Sequence, residues 1–345
     1  DDAAREWKEK GVYSRKFKEW FGDWENDPEH ASKVLNRLDK PQLTYRTRGP
    51  RGVLHDFRRY DPVSPKGAPL PLIVYHGAGY DFDSFDLSKS AHGNYGQAFY
   101  FATNRGEANE YRHGSGEAGM SDEDIKTYIR EAKKVLDFDN VDDETKIGLE
   151  TEFEQMKNWK TPSPMAEQLR RYPQLEEAVS KLKGPFKPET KLYYLKIVNP
   201  VVRGNVYPMS EFDRIVGLYP PPRALFALQQ GATTKEEFDK HVKIAMDFQK
   251  SHHPSGKITG GDLIAMLSGM YGYSRDVNNQ VRLALDKAGY DGIILEGDGT
   301  RQGQFGNHYI VWHPEQIKSL YNKGTFDPKS ANSMLASFDP SKHPR

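Results

Sequence analysis

Phe17, Trp20, Phe21 and Trp24 recur at i, i+3, i+4 and i+7 within an opening stretch of helical pattern. That single aromatic stripe predicts a helix packed into a core. Periodicity is lost across 39–71, where Pro, Gly and Arg accumulate as they do in loops. The apolar run LPLIVYHG (70–77) predicts a buried strand ending at His76. AFYFA (98–102) predicts a second, preceded by Gly-rich HGNYG and followed by a helix start at Thr103 or Asn104. Polar helical patterns fill about 121–183, with Ser121 and Asp124 at the spacing of a capping box. KLYYLKIVNP (191–200) reads as a strand stopped by Pro200, and helices return at 234–250, 262–271 and 275–288. GYDGIIL (289–295) and HYIVW (308–312) read as strands on either side of a flexible loop, EGDGTRQGQFGN. Strands set between long, unequal excursions lack the regular alternation of a doubly wound sheet, so the fold class is α+β. No internal repeat or coiled coil is visible.

Composition narrows the picture. With 345 residues, 36% of them apolar and 28% charged, the chain can bury a substantial core and has the make-up of a soluble protein. Lys+Arg and Asp+Glu are both 49, so no global field recruits nucleic acid or a membrane, and any such attraction would come from a local patch. The absence of cysteine removes disulfides, thiolate nucleophiles and Cys-based zinc sites. No run of about 18 apolar residues and no signal-peptide pattern is present. These features suit the cytoplasm, or delivery into the cytoplasm of a target cell.

The usual phosphate-cradling motifs are missing, as are GxSxG and HExxH. His252 and His253 are adjacent at a helix end and lack a spaced third ligand, so they read as a solvated C-terminus and not as a metal site. The informative pattern is spread over three strands. His76-Gly77 ends the first, Tyr95 to Ala102 forms YGQAFYFA with Tyr111 eleven residues after Tyr100, and Asn307-His308 opens NHYIVW.

These motifs resemble the ADP-ribosyltransferases of the His-Tyr-Glu class, which include diphtheria toxin and the poly(ADP-ribose) polymerases. The polymerases carry a strand ending in His-Gly, an FGxGxYFA segment with a second Tyr eleven residues on, and a late N-E-Y-I-V-Y strand. A closer likeness is to the ADP-ribosyltransferase domain of polyvalent proteins of phages, plasmids and bacterial polymorphic toxins. It is carried by FKEWFGDW (17–24), VYHGAGYDFDSFD (74–86), KLYYLKIVNP (191–200), AGYDGIIL (288–295) and YIVWHPEQIKSLYNKGTFDP (309–328), and so touches most of 17–328.

The resemblance implies a split, mostly antiparallel β core with NAD⁺ in the cleft between two small sheets. Its organisation would be an N-terminal helical segment (1–38), a basic insertion (39–70), a transferase domain (71–328) with helical insertions at about 121–183 and 205–285, and a C-terminal tail (329–345). A single ADP-ribose would pass from NAD⁺, the co-substrate, to a protein, RNA or DNA acceptor, with no metal. The rivals are an NAD⁺ glycohydrolase and an inactive binding module. A toxin or effector role would add an antitoxin or immunity protein as partner, and no membrane.

The implied catalytic residues are His76, Tyr100 and His308, and the implied NAD⁺ contacts are Gly77, Phe101, Tyr111 and Asn307. Two tyrosines suit a flat cationic ring, a glycine lets the backbone approach the carboxamide, and a neutral imidazole can bond a ribose hydroxyl. Where the polymerases place their glutamate this chain has His308, which brings no negative charge. Three readings follow: His308 does a weaker version of the job, a carboxylate such as Glu296 or Asp298 substitutes, or NAD⁺ binds without turnover. Ala108 replaces a serine that contacts the nicotinamide amide in the polymerases, a loss of about one hydrogen bond or 1 kcal/mol. Arg46, Arg48, Arg51, Arg58 and Arg59, beside Tyr45, Phe57 and Tyr60, form a candidate acceptor contact suited to phosphates and bases.

Overall fold

The aromatic stripe lies partly on one helix, α2 (Arg15–Phe21), preceded by α1 (Asp2–Lys10). The helix stops before the stripe does. Gly22 has φ +97°, and a Cβ there would come 2.5 Å from Ala31 Cα, so the reversal requires glycine. Trp24 therefore enters the core from beyond the helix, and Phe17, Trp20 and Phe21 are fully buried with it.

This architecture comes from a computed structural model, which describes residues 2–36, 46–48, 54–56, 64–80, 82, 84–90, 92–105, 107–108, 122–135, 140, 142–143, 146–147, 150–151, 153–154, 186–221, 234–272, 275–297 and 306–331.

A seven-stranded sheet organises the described residues. Its members are β3 (Val74–Tyr80), β6 (Phe99–Ala102), β7 (Phe186–Leu195), β8 (Pro200–Val202), β11 (Gly292–Leu295), β12 (His308–Val311) and β13 (Ile317–Ser319). The order is β13–β7–β3–β6–β12–β11–β8, antiparallel throughout except for the parallel β11–β8 edge. Small two-stranded ladders pair β1 (Arg46–Arg48) with β2 (Leu54–Asp56), β4 (His92–Gly93) with β5 (Gly96–Gln97), and β9 (Val206–Pro208) with β10 (Lys257–Thr259).

Two expectations are corrected here. The 39–71 stretch is not loop throughout, because β1 and β2 form an antiparallel ladder with Arg46 opposite Asp56 and Arg48 opposite Leu54. Pro200 does not stop β7, which ends at Leu195. Instead it opens β8, where a residue without an N–H is tolerated as the first of an edge strand.

The remaining helices are α3 (Asp122–Val135), α4 (Met209–Leu218), α5 (Lys235–Ser251), α6 (Gly260–Tyr271) and α7 (Arg275–Lys287). Capping boxes start two of them, Thr234 with Glu237 for α5 and Thr259 with Asp262 for α6. On one face of the sheet, α4, α6 and α7 bury Phe212, Leu263, Leu267 and Leu285 against β8, β11 and β12. On the same face, α1, α2 and Phe326 cover β3 and β7. The opposite face is closed by Val34, Phe82 and Phe85.

The two sheets expected to flank the cleft are two halves of one sheet. Among the described residues, β3 and β6 are paired at one position, Tyr75 opposite Ala102. Beyond it, His76 to Tyr80 pair with β7 and Phe99 to Phe101 pair with β12, so the strands diverge and leave a notch.

Candidate active site

Ladder register settles which side chains share the notch. Paired residues project to the same face of a sheet, and successive residues alternate. Tyr75, Ala102, His308 and Leu295 thus form one row across four strands. Gly77 and Tyr100 lie two residues further along their strands, on that same face and on opposite lips of the notch. His76 and Phe101 project to the other face.

His76 spans the divergence from behind. Its Nδ1 lies 2.7 Å from the Tyr100 carbonyl oxygen, closing with a side chain the gap the backbones leave. Its ring centroid is 5.1 Å from Phe101, 5.2 Å from Phe85 and 6.3 Å from Tyr193. Enclosure among these rings pushes the imidazole down to about 4, outweighing the bond to the Tyr100 carbonyl, so His76 is neutral at pH 7. Phe101 is buried beside it, so its ring braces His76 within the core.

Tyr100 is held by the β4–β5 hairpin. Its hydroxyl donates to the Gly96 carbonyl at 2.7 Å and accepts from the Tyr95 N–H at 3.1 Å. A Cβ at Gly93 would lie 2.4 Å from the Tyr100 ring and hydroxyl, so only glycine lets the hairpin close on it. The hairpin is anchored to α7 by the Gln97 N–H, which donates to Asn279 Oδ1 at 2.5 Å.

His308, half-buried, meets a residue that sequence reasoning passed over. Its Nε2 is hydrogen-bonded to Oε1 of Glu107. Glu107 lies in the helical turn after Asn104, is 7% exposed, and its Oε2 is enclosed without a partner. Asn104-x-x-Glu107 has capping-box spacing, which disguises this acid as a helix-start residue. A buried acid flanked by positions already of interest is the one signal that could have found it. Ala108, next to it, is buried against the core beneath α1 and α2.

The other singled-out residues sit as follows. Asn307 accepts the Gly297 N–H on Oδ1 at 3.1 Å, while its backbone exchanges bonds with Thr103, so it ties Gly297 and Thr103 to the start of β12. Glu296 lines a cleft of about 710 Å³ with Tyr95, Arg203, Thr259 and Asp262, whereas the carboxylate that touches His308 is Glu107. Tyr111, Asp298, Arg51, Arg58 and Arg59 lie outside the described residues, and so do the side chains of Arg46 and Arg48. His252 caps the C-terminus of α5 with Nδ1 2.9 Å from the Phe248 carbonyl. Among the described residues no three His, Cys, Asp or Glu gather as a metal site, and no helix is long and apolar enough to cross a membrane.

Comparison with curated proteins and with solved structures returned no match. A family model does match, over a shorter span than the resemblance read across 17–328, and the matched segment contains His76, Gly77, Tyr100 and Glu107. Residues 66–184 match the model described as ADP-ribosyltransferase in polyvalent proteins, and over this segment the chain is similar to that family.

Proposed function

We propose that the protein transfers a single ADP-ribose from NAD⁺ to a macromolecular acceptor, with release of nicotinamide. The observation that carries this reading is the notch, whose lips present Gly77 and Tyr100 on the face that also bears His308. Nicotinamide leaves as a neutral ring from a cationic pyridinium, so the reaction needs no general acid. It needs a grip on the ring and stabilisation of an oxocarbenium-like centre. Gly77 lies where β3 has separated from β6, which suits close approach of the carboxamide to the backbone. Tyr100 offers an aromatic wall, with Tyr111 as its expected counterpart. His308 and Glu107 together restore the negative charge that an imidazole alone lacks.

The acceptor contact is assigned to Arg46, Arg48, Arg51, Arg58 and Arg59, which suit an anionic target, RNA or DNA before protein. A toxin or effector acting in the cytoplasm, restrained by an antitoxin or immunity protein, accords with this activity. The test is nicotinamide release from NAD⁺ by the purified protein, with and without lysate or total RNA, beside Tyr100→Ala. Release that rises with acceptor and vanishes in the variant supports transfer. Release indifferent to acceptor points to a glycohydrolase, and none under any condition leaves a binding module.

A further inference from the structure

The transfer reading uses Glu107 and His308 only as a source of charge, which does not require the imidazole between the carboxylate and the notch. A carboxylate as enclosed as Glu107 is costly to hold ionised without a partner. Here one oxygen meets His308 Nε2 and the other is buried with none. In such a pair the carboxylate accepts and Nε2–H donates, which leaves Nδ1 as the lone-pair nitrogen. The His308 side chain is 23% exposed, against 6% for Glu107, so the dyad is sealed at its acidic end and open at its imidazole end. Register places His308 beside Ala102, the residue at which the notch opens.

We propose that Glu107 and His308 form a general-base dyad, and that the acceptor it serves is a hydroxyl group. A carboxylate or guanidinium acceptor would not need this arrangement: the first has no proton to lose at neutral pH, and the second is matched by a bare carboxylate. In the step, the acceptor O–H bond breaks and its proton passes to His308 Nδ1. The oxygen bonds to C1′ of the nicotinamide-bearing ribose as the C1′–N bond breaks, its electron pair leaving on neutral nicotinamide. The imidazolium then returns its proton to solvent, so NAD⁺ and ROH yield the O-linked ADP-ribosyl glycoside, nicotinamide and H⁺. His308 is the catalytic residue and Glu107 the positioning residue behind it.

The proposal rests on the transfer reading, and one experiment separates the two. The full chain is incubated with NAD⁺ and either methanol, which must lose a proton, or azide, which need not. Nicotinamide and the two ADP-ribosyl adducts are quantified for wild type, His308→Ala and Glu107→Gln, with folding checked by circular dichroism. Loss of charge should lower both adducts in both variants, and loss of the base should further lower the methanol-to-azide ratio, by about a hundredfold in His308→Ala and roughly tenfold in Glu107→Gln. Parallel loss of both adducts in either folded variant, with the ratio unchanged, overturns the base. Absence of nicotinamide release by wild type overturns the transfer reading, and the base with it. Arms with N-acetylserinamide and adenosine separate a protein hydroxyl from a ribose hydroxyl by which is captured faster, and failure of wild type to capture methanol, serine or ribose while capturing azide also overturns the proposal.

Discussion

Glu107 and His308 are hydrogen-bonded although 201 residues separate them in the chain. The contact joins the helical turn after β6 to the first residue of β12, and it sets a carboxylate behind the His308 imidazole. A buried acid with one unpartnered oxygen is a poor choice for stability alone, which gives the pair a measurable signature.

Replacing Glu107 and His308 together by Leu should leave the melting temperature unchanged or higher, because exchanging a buried pair for well-packed apolar residues is often neutral or stabilising by about 1–4 kcal/mol. NAD⁺ turnover should fall at least tenfold, as expected for loss of a base and the group that orients it. A thermal melt beside the turnover assay decides it. Loss of stability with turnover intact would make the pair structural.

Tyr100→Phe removes the hydroxyl that joins the Gly96 carbonyl and the Tyr95 N–H. At about 1 kcal/mol for each bond, the β4–β5 hairpin should loosen and KM for NAD⁺ should rise roughly tenfold. Gly93→Ala should act more severely, since the added methyl meets the Tyr100 ring. Initial rates over a range of NAD⁺ concentrations would show whether the change is in KM, and an unchanged KM in both variants would exclude a role for this hairpin in binding.

His76 supplies a pH dependence. Its imidazole ordinarily titrates near 6.5 and is held at about 4 in the fold. Below 6.5 the unfolded chain therefore binds the extra proton and the folded one does not. Stability from this residue is complete above pH 6.5 and is lost as pH falls towards 4, by roughly 3 kcal/mol in all. Melting temperatures of wild type should drop over that window, and His76→Gln should flatten the drop. Equal slopes in the two proteins would count against it.

Trp20→Ala should destabilise the whole molecule by about 3–5 kcal/mol, the usual effect of emptying a large buried aromatic site. Trp20 is fully buried, and its indole N–H donates to the Glu315 carbonyl at 3.0 Å, so α2 is tied to the segment after β12. Denaturant unfolding should remain a single transition with a lowered midpoint. A separate early transition would mean that α1 and α2 form an independent unit.

Much of this was legible locally. Short apolar runs marked β6, β7, β11 and β12, as in strands buried on both faces, and helical patterns marked α2, α5, α6 and α7. The ends were less legible. Gly22 cuts α2 short of Trp24 because a neighbouring backbone needs the space. Pro200 opens a strand because an edge spares its missing N–H. The β1–β2 ladder went unseen because a three-residue strand carries too few alternations to register.

The sequence by itself determined the α+β class, the elements that carry His76, Tyr100 and His308, and the family resemblance, since each depends on neighbours within a few residues. Only the tertiary structure decided that the strands form a single sheet, opened into a notch beyond the Tyr75–Ala102 pair. It alone turned His76 to the far face beneath Tyr100 and brought Glu107 to His308. Those outcomes depend on how strands from distant parts of the chain align and diverge, and side-chain facing follows from that register, which no local pattern encodes.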